Sequence, residues 1–184
     1  MTTLASRAAR VVVLAATALS SPQFAISVLA SDGFGQTRPV DRRVANLMRN
    51  GAVRSRTIGR LLDQLARKDV TVYVRSTPRS PDDLAGSLAF MGKGADGRRW
   101  LMITLYGDRG WTTLEDAEDR QLITLGHELR HALEVADDPT VTSLEAFALF
   151  YRTIGEEWRK DRVDTEDARL AGRQVAHELS AGPF

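Results

Sequence analysis

The segment 114–136 constrains the fold most strongly, because its apolar residues recur at the spacing of an amphipathic helix. It contains a His-Glu-x-x-His run made by His127, Glu128 and His131. Side chains four residues apart on a helix lie on the same face, so the two imidazoles share one space and can bind one metal ion. The chain has 3 histidines in all, and the third, His177, falls on the polar side of the last predicted helix. The segment therefore predicts a helix with an apolar back and a polar, metal-binding front.

Charge and cysteine content narrow the classes of function. The chain has 25 Lys and Arg against 24 Asp and Glu, and residues 1–30 contain two arginines and no acidic residue. Without that segment the formal net charge changes from +1 to −1, so nucleic acid is not a predicted partner. The absence of cysteine excludes disulfides and thiolate metal sites. Any metal in this chain must therefore be bound through nitrogen and oxygen atoms.

The chain divides into a leader and one domain. Residues 1–30 have a basic start, an apolar stretch and a small-residue cleavage site ending at Ala30, which predicts an export signal peptide. An uncleaved anchor over residues 11–30 is the alternative, although polar residues interrupt that stretch. Residues 31–43 are polar and predict a flexible lead-in. Residues 44–184 then form a single domain, for which the 43% content of hydrophobic residues supplies a core.

The order of the predicted elements favours an α+β fold. Alternating residues over 70–74 predict a strand with one solvent-facing side, near a sheet edge. Two strand-like runs, 84–91 and 100–106, flank a glycine-rich turn and predict a hairpin. The predicted helices, with Gly51 as the break between the first two, are 44–48, 58–65, 114–136, 143–158 and 165–180. We therefore expect a small antiparallel three-stranded sheet packed against helices.

Residues 124–133 resemble the active-site helix of the zincin metallopeptidases. That family prefers valine or threonine three positions before the first histidine, where this chain has Thr124. It prefers an apolar residue two positions after the second histidine, where this chain has Leu133. Arg130 departs from the pattern, because the family usually has an uncharged residue at that position. Strands before this helix and a helix after it also resemble the minimal zincin arrangement.

The resemblance implies a zincin-like fold, with the active-site helix near 114–136, and a set of roles. His127 and His131 would bind Zn²⁺ through neutral imidazoles, together with a third protein ligand and a water in the fourth position. Glu128 would be the general base that takes a proton from the water, and not a ligand. In a gluzincin-like site, the third ligand is a carboxylate from a later helix.

Asp164 is our predicted third ligand, because it is in phase with the side of the last helix that faces the domain. The alternative for Asp164 is an N-cap of that helix, since it directly precedes residues 165–167. Asp137 stands at the metzincin offset, but that subgroup has a glycine where this chain has Glu134. We predict that Glu134 supports a metal ligand without binding the metal itself, or that it pairs with an arginine. Ligation of the metal by Glu134 is the alternative. The remaining carboxylates that stay open as third ligands are Glu145, Glu156 and Glu157.

These features together predict an exported, periplasmic or secreted, zinc-dependent peptidase. Its substrate would be a polypeptide that lies extended along an edge strand upstream of the active-site helix. No stable membrane association is expected once the signal is cleaved. Two alternatives stay open: a non-catalytic zincin-like scaffold or binding protein, and a metal-dependent amidase acting on cell-wall material.

Overall fold

The computed structural model describes residues 34–78, 84–107, 114–159 and 162–181. The predicted signal segment, residues 1–30, lies outside this part of the chain. Within the described residues, no helix is long and apolar enough to cross a membrane.

Helices and strands follow one another in mixed order over the described residues. In chain order the elements are β1 (Thr37–Pro39), α1 (Arg42–Arg54), α2 (Arg56–Leu65), β2 (Val70–Thr77), β3 (Gly86–Lys93), β4 (Arg99–Tyr106), α3 (Leu114–Asp137), α4 (Leu144–Ile154), β5 (Glu156–Arg159), β6 (Arg162–Asp164) and α5 (Glu166–Ser180). Strands β1 to β4 form one sheet, and β5 and β6 form a separate antiparallel pair.

The main sheet of the described chain is a mixed four-stranded sheet in the order β1-β2-β4-β3, so the predicted antiparallel three-stranded sheet is wrong. Strand β2 pairs in parallel with both β1 and β4, and β3 is antiparallel to β4. The predicted hairpin is therefore confirmed in the β3–β4 pair. The additional strand, β1, comes from the segment predicted as a lead-in, because three residues are too few for a pattern of alternation to be recognised. The domain is mixed α/β and not α+β.

Strand β2 lies in the interior of the sheet, and not at the edge that its alternating pattern suggested. Thr71 is 2% and Tyr73 is 8% exposed, so the polar side of the alternation is buried as well. Helices α1 and α2 connect β1 to β2, and parallel neighbours require such a crossover. The two edge strands are β1 and β3, which lie next to β2 and β4, respectively.

Two helix boundaries differ from their predictions for local reasons. Helix α1 runs through Gly51, where a Cβ would lie 2.9 Å from Leu122 Cδ2, so this glycine permits close helix packing instead of a break. The break lies at Ser55, whose hydroxyl accepts a hydrogen bond from the Ile58 N–H at 3.2 Å and caps α2. Helix α4 ends at Ile154, because the chain continues from there into strand β5.

Helix α3 packs on β3 and β4 and also contacts α2 and α5. Its apolar side chains Leu125, Leu129 and Leu133 are 0–3% exposed, as the predicted apolar back requires. Helix α5 approaches α3 closely at Gly126, where a Cβ would lie 2.6 Å from Val175 Cγ2. This packing brings Asp164, which lies two residues before α5, next to the face of α3 that carries the histidines.

The C-terminal end of α3 is capped by an arginine from the sheet. Arg99 is 5% exposed, and its guanidinium donates to the carbonyls of Val135 at 2.7 Å, Ala136 at 3.1 Å and Asp138 at 2.6 Å. The last carbonyls of a helix lack intrahelical partners, and a positive charge there also interacts favourably with the helix dipole. Arg99 therefore anchors the helix that carries both histidines to strand β4.

Replacement of Arg99 by methionine should lower the free energy of unfolding by about 3 kcal/mol or more, because bonds to a charged donor are lost and buried carbonyls are left unpaired. Urea denaturation followed by circular dichroism measures this change. The exposed Arg60 on α2 offers a matched control, for which an effect within about 0.5 kcal/mol is expected. Equal stability of the two variants would contradict a capping role for Arg99.

Candidate metal centre

Three buried side chains from two parts of the chain lie close together. His127 and His131 come from successive turns of α3, and Asp164 is the last residue of β6. Asp164 Oδ1 lies 3.3 Å from His127 Nε2 and 3.4 Å from His131 Nε2. One ligand atom from each residue lies within 4.8 Å of the others, and all three residues are buried. This group could hold a metal ion.

The polar atoms of this cluster fit that function. His127 Nε2 and His131 Nε2 are buried and form no hydrogen bond with the described residues. Buried polar atoms nearly always form hydrogen bonds in proteins, so two ring nitrogens that share one carboxylate oxygen as a neighbour, without hydrogen-bond geometry to it, need an explanation. A metal ion bound by both nitrogens and the carboxylate oxygen would supply it. Two imidazoles and one carboxylate are also a usual ligand set for a divalent metal.

Asp164 is free to face the histidines because its neighbour caps the helix. The Thr165 hydroxyl accepts a hydrogen bond from the Ala168 N–H at 3.2 Å and is the N-cap of α5. Asp164 accepts the Thr165 N–H through Oδ1 at 2.8 Å, which orients its carboxylate. The alternative prediction of Asp164 as the N-cap is therefore wrong by one residue.

Glu128 lies beside the cluster and is fully buried, with 0% exposure. Neither of its carboxylate oxygens has a hydrogen-bond partner among the described residues. The start of β3 approaches it closely, since a Cβ on Gly86 would lie 2.5 Å from Glu128 Oε1 and 2.6 Å from Thr124 Cγ2. Sequence analysis did not single out Gly86, and a glycine inside a predicted strand is the signal of such a close approach. Glycine at this position permits the carboxylate and the strand backbone to be neighbours.

Burial and the neighbouring charges shift the titration of all four groups in the metal-free protein. Burial raises the pKa of Glu128 to about 8 and lowers the pKa of His127. Burial also opposes protonation of His131, but the carboxylates of Asp164 and Glu134 outweigh it and raise the pKa of His131 to about 9. Although burial opposes its ionisation, the two imidazoles hold the pKa of Asp164 well below its usual range. At neutral pH the imidazole of His131 is therefore protonated in the metal-free protein, and a metal ion would have to displace this proton.

We expect the metal-free protein to lose stability between pH 7 and pH 9. The protonated His131 stabilises the fold fully below its unfolded pKa of 6.5, and this contribution is lost as the pH rises through about 9. Glu128 acts in the same direction, because folding raises its pKa from 4.5 to about 8, so its contribution to stability falls as the pH rises between these two values and is fully lost above about 8. His127, with a lowered pKa, is mainly neutral in both states above pH 7.

Denaturation of the metal-free protein in urea at several pH values measures this loss, which should amount to a few kcal/mol. A Glu128→Gln variant should show a weaker pH dependence, because it lacks one of the two titrating groups. A free energy of unfolding that rises between pH 7 and pH 9 would contradict the shifts assigned to His131 and Glu128.

The other carboxylates considered as third ligands do not face the two Nε2 atoms. Asp137 is exposed and pairs with Lys68 at 2.6 Å. Glu134 is buried, but it contacts His131 on the opposite ring nitrogen, Nδ1, at 2.9 Å. The remaining three candidates, Glu145, Glu156 and Glu157, are exposed. Of the described carboxylates, Asp164 is the one grouped with the histidines, and His177 is exposed on α5.

Tyr151 of α4 contacts the second histidine, His131, through a hydrogen bond and a ring contact. Its hydroxyl donates to the His131 carbonyl at 2.9 Å, and its ring meets the His131 ring edge-on with centroids 5.3 Å apart. The residue is 1% exposed, so this contact belongs to the packed core. Its position on the apolar face of α4 was the available sequence signal, but that pattern does not reveal which residue it contacts.

Comparison with known proteins gave no match: no protein-family model, curated protein or solved structure matches this chain. Function is therefore inferred from the chemistry of the site.

Proposed function

We propose that this chain is an exported zinc-dependent peptidase, with His127, His131 and Asp164 as metal ligands and Glu128 as general base. One observation carries the proposal: Glu128 is a buried carboxyl whose two oxygens lack hydrogen-bond partners among the described residues, and it stands next to three metal-ligand side chains. A purely structural metal site requires ligands, but it does not require an unpaired carboxyl beside them. Burial of such a group is unfavourable and is usually explained by function.

The ligand set fits zinc better than magnesium or calcium. Two imidazole nitrogens and one carboxylate oxygen form the set that catalytic zinc uses when the fourth position is kept for water. The chain has no cysteine, so no thiolate competes for the ion. Magnesium and calcium prefer sets made of oxygen atoms alone.

The roles of the side chains follow from their chemistry. Zinc supplies Lewis-acid polarisation of a carbonyl and acidification of water when it is bound. As the water oxygen bonds to the carbonyl carbon, Glu128 accepts one water proton and passes it to the leaving nitrogen. The carbon–nitrogen bond then breaks, and the products are a carboxylic acid and an amine, which exchange one further proton to become a carboxylate and an ammonium group.

The position of β3 favours an extended polypeptide as the substrate. Strand β3 pairs with β4 on one side and forms one of the two edges of the described sheet, and β1 forms the other. An extended peptide could add to this edge through backbone hydrogen bonds. Since Gly86 lies against Glu128, a peptide on β3 would pass close to the general base. The template strand is thus β3, whereas the segment 70–74 is interior.

Export is part of the proposal and is supported by sequence alone. Residues 1–30 combine a basic start, an apolar stretch and a small-residue cleavage site. They lie outside the described residues.

A metal-stabilised scaffold or binding protein is the second candidate function. It is favoured by burial, since the exposed fractions are 1% for His127, 0% for His131 and 7% for Asp164. Closed sites are typical of structural zinc, whereas catalytic sites keep an open position. The two functions differ in one respect that can be measured, because a scaffold does not turn over a substrate.

The test is hydrolysis by the zinc-loaded protein of casein, a set of unstructured peptides and cell-wall fragments. Cleavage of casein or peptides that stops when zinc is removed by a chelator and returns on readdition would support the peptidase. Cleavage confined to cell-wall fragments would instead establish the amidase alternative. A zinc-bound protein that cleaves none of them would favour the scaffold.

A further inference from the structure

We propose that Glu134 is a positioning residue that holds the two halves of the metal centre together. The inference rests on the proposed zinc centre and concerns how that centre is built. Glu134 lies on α3 one turn after His131, and it is 8% exposed. Its two carboxylate oxygens contact different parts of the chain, so one side chain joins α3 to the start of α5.

The first contact determines which ring nitrogen of His131 carries the proton. Glu134 Oε2 lies 2.9 Å from His131 Nδ1. A carboxylate is a hydrogen-bond acceptor, so Nδ1 must donate its proton. In the neutral imidazole the lone pair is then on Nε2, which is the nitrogen directed at Asp164. Glu134 therefore selects the tautomer of His131 that can bind a metal.

The second contact reaches the chain next to the third ligand. The Thr165 hydroxyl donates to Glu134 Oε1 at 2.8 Å. The direction of this bond is fixed, because the same hydroxyl accepts the Ala168 N–H as the N-cap of α5 and has one proton to donate. Thr165 directly follows Asp164, whose Oδ1 accepts the Thr165 N–H. A change in the position of Thr165 therefore moves Asp164 as well.

The contacts of Arg130 explain why this chain has a charged residue where zincins usually have an uncharged one. Its Nε lies 3.7 Å from Glu134 Oε1, and its Nη2 lies 2.5 Å from Asp167 Oδ2 on α5. A positive charge next to Glu134 reduces the unfavourable free energy of burying that carboxylate. The pair with Asp167 adds a second link between α3 and α5. An uncharged residue at position 130 would leave Glu134 without this partner.

Zinc binding should therefore depend on Glu134, although it is not a ligand. Groups that orient metal ligands typically contribute about 10–100-fold to metal affinity. Glutamine at position 134 has one acceptor oxygen where glutamate has two, so it cannot accept from both His131 Nδ1 and the Thr165 hydroxyl, and it also lacks the negative charge. Valine at position 165 removes the hydroxyl, while serine retains it.

The experiment compares the zinc affinity of the wild-type full chain with that of Glu134→Gln, Thr165→Val and Thr165→Ser. Competition with a chromophoric chelator measures the affinity. The visible spectrum of the cobalt-substituted protein reports the coordination geometry in each variant. Two control variants test whether loss of any buried glutamate, or of any helix N-cap, has the same effect on zinc binding. Glu178→Gln alters another buried glutamate, which accepts hydrogen bonds from Ser55 and Thr57. Ser143→Ala removes the N-cap of α4 without touching the cluster.

We expect Glu134→Gln and Thr165→Val to weaken zinc binding by about 10–100-fold and to change the cobalt spectrum, with wild-type behaviour in Thr165→Ser and both controls. Wild-type zinc affinity and an unchanged spectrum in Glu134→Gln and Thr165→Val would overturn the inference. So would an equal loss of affinity in the controls, because it would indicate a general effect of stability. Both readouts concern binding, so a zinc-bound protein without peptidase activity would contradict the proposed function and leave this test valid.

Discussion

Glu128→Gln is expected to retain zinc and to lower the rate of peptide hydrolysis by about 10²–10⁴-fold, the usual contribution of a general base. Glutamine has nearly the same shape but cannot accept the proton of the attacking water. The substitution should not destabilise the fold, because the carboxyl it replaces is fully buried and forms no hydrogen bond with the described residues. Steady-state kinetics on a cleaved peptide, together with zinc content and the thermal midpoint, measure these three effects.

A matched control for this variant is Glu145→Gln on α4, where the glutamate is exposed. It should hydrolyse the peptide at the wild-type rate. Retained activity in Glu128→Gln would show that Glu128 is not the base. Loss of zinc from that variant would instead assign Glu128 to the ligands, in contrast to the proposed roles.

His131→Ala and Asp164→Ala are each expected to reduce the zinc content from about one ion per chain to a level below detection after dialysis. Each substitution removes one of the three proposed protein ligands, and we expect that the two that remain cannot retain the ion against exchange. Elemental analysis by mass spectrometry measures the content directly. Hydrolytic activity should disappear with the metal.

The chain provides close controls for both variants. His177→Ala and Asp137→Ala change residues of the same types that are exposed and lie outside the cluster. Both should keep about one zinc per chain. Zinc lost in His131→Ala but kept in Asp164→Ala would place the third ligand elsewhere. A wild-type protein that binds no zinc, even after reconstitution, would contradict the metal centre itself.

The helices and the hairpin could be predicted because their signals are local. Spacing of apolar residues on α3 and the glycine-rich turn between β3 and β4 each lie within one continuous segment. Strand order could not be predicted, since parallel pairing of β2 with β1 and β4 depends on contacts between segments far apart in the chain. Alternation in β2 was misleading, because Thr71 and Tyr73 are buried in spite of their polar groups.

The candidate site likewise has one part that the local sequence predicts and another that depends on contacts between distant segments. His127, Glu128 and His131 form a pattern within five residues of one helix, and helical geometry alone places the imidazoles side by side. Asp164 was selected from the phase of the last helix, and the structure brings it to within 3.4 Å of both Nε2 atoms. The true N-cap, Thr165, differs by one residue from the alternative prediction, an error typical of helix boundaries.

Sequence by itself determined the helix, the two histidines and the carboxylate between them, because residues four apart must share a helical face. Tertiary structure alone decided that Gly86 lies on Glu128, that Arg99 caps α3, and that Glu134 joins His131 to Thr165. Such contacts link residues that are distant in the chain, and they exist once the apolar faces of α3, α5 and the sheet have packed together. Periodicity can indicate which face of a helix is buried, but the partner on that face depends on the packing of the whole domain.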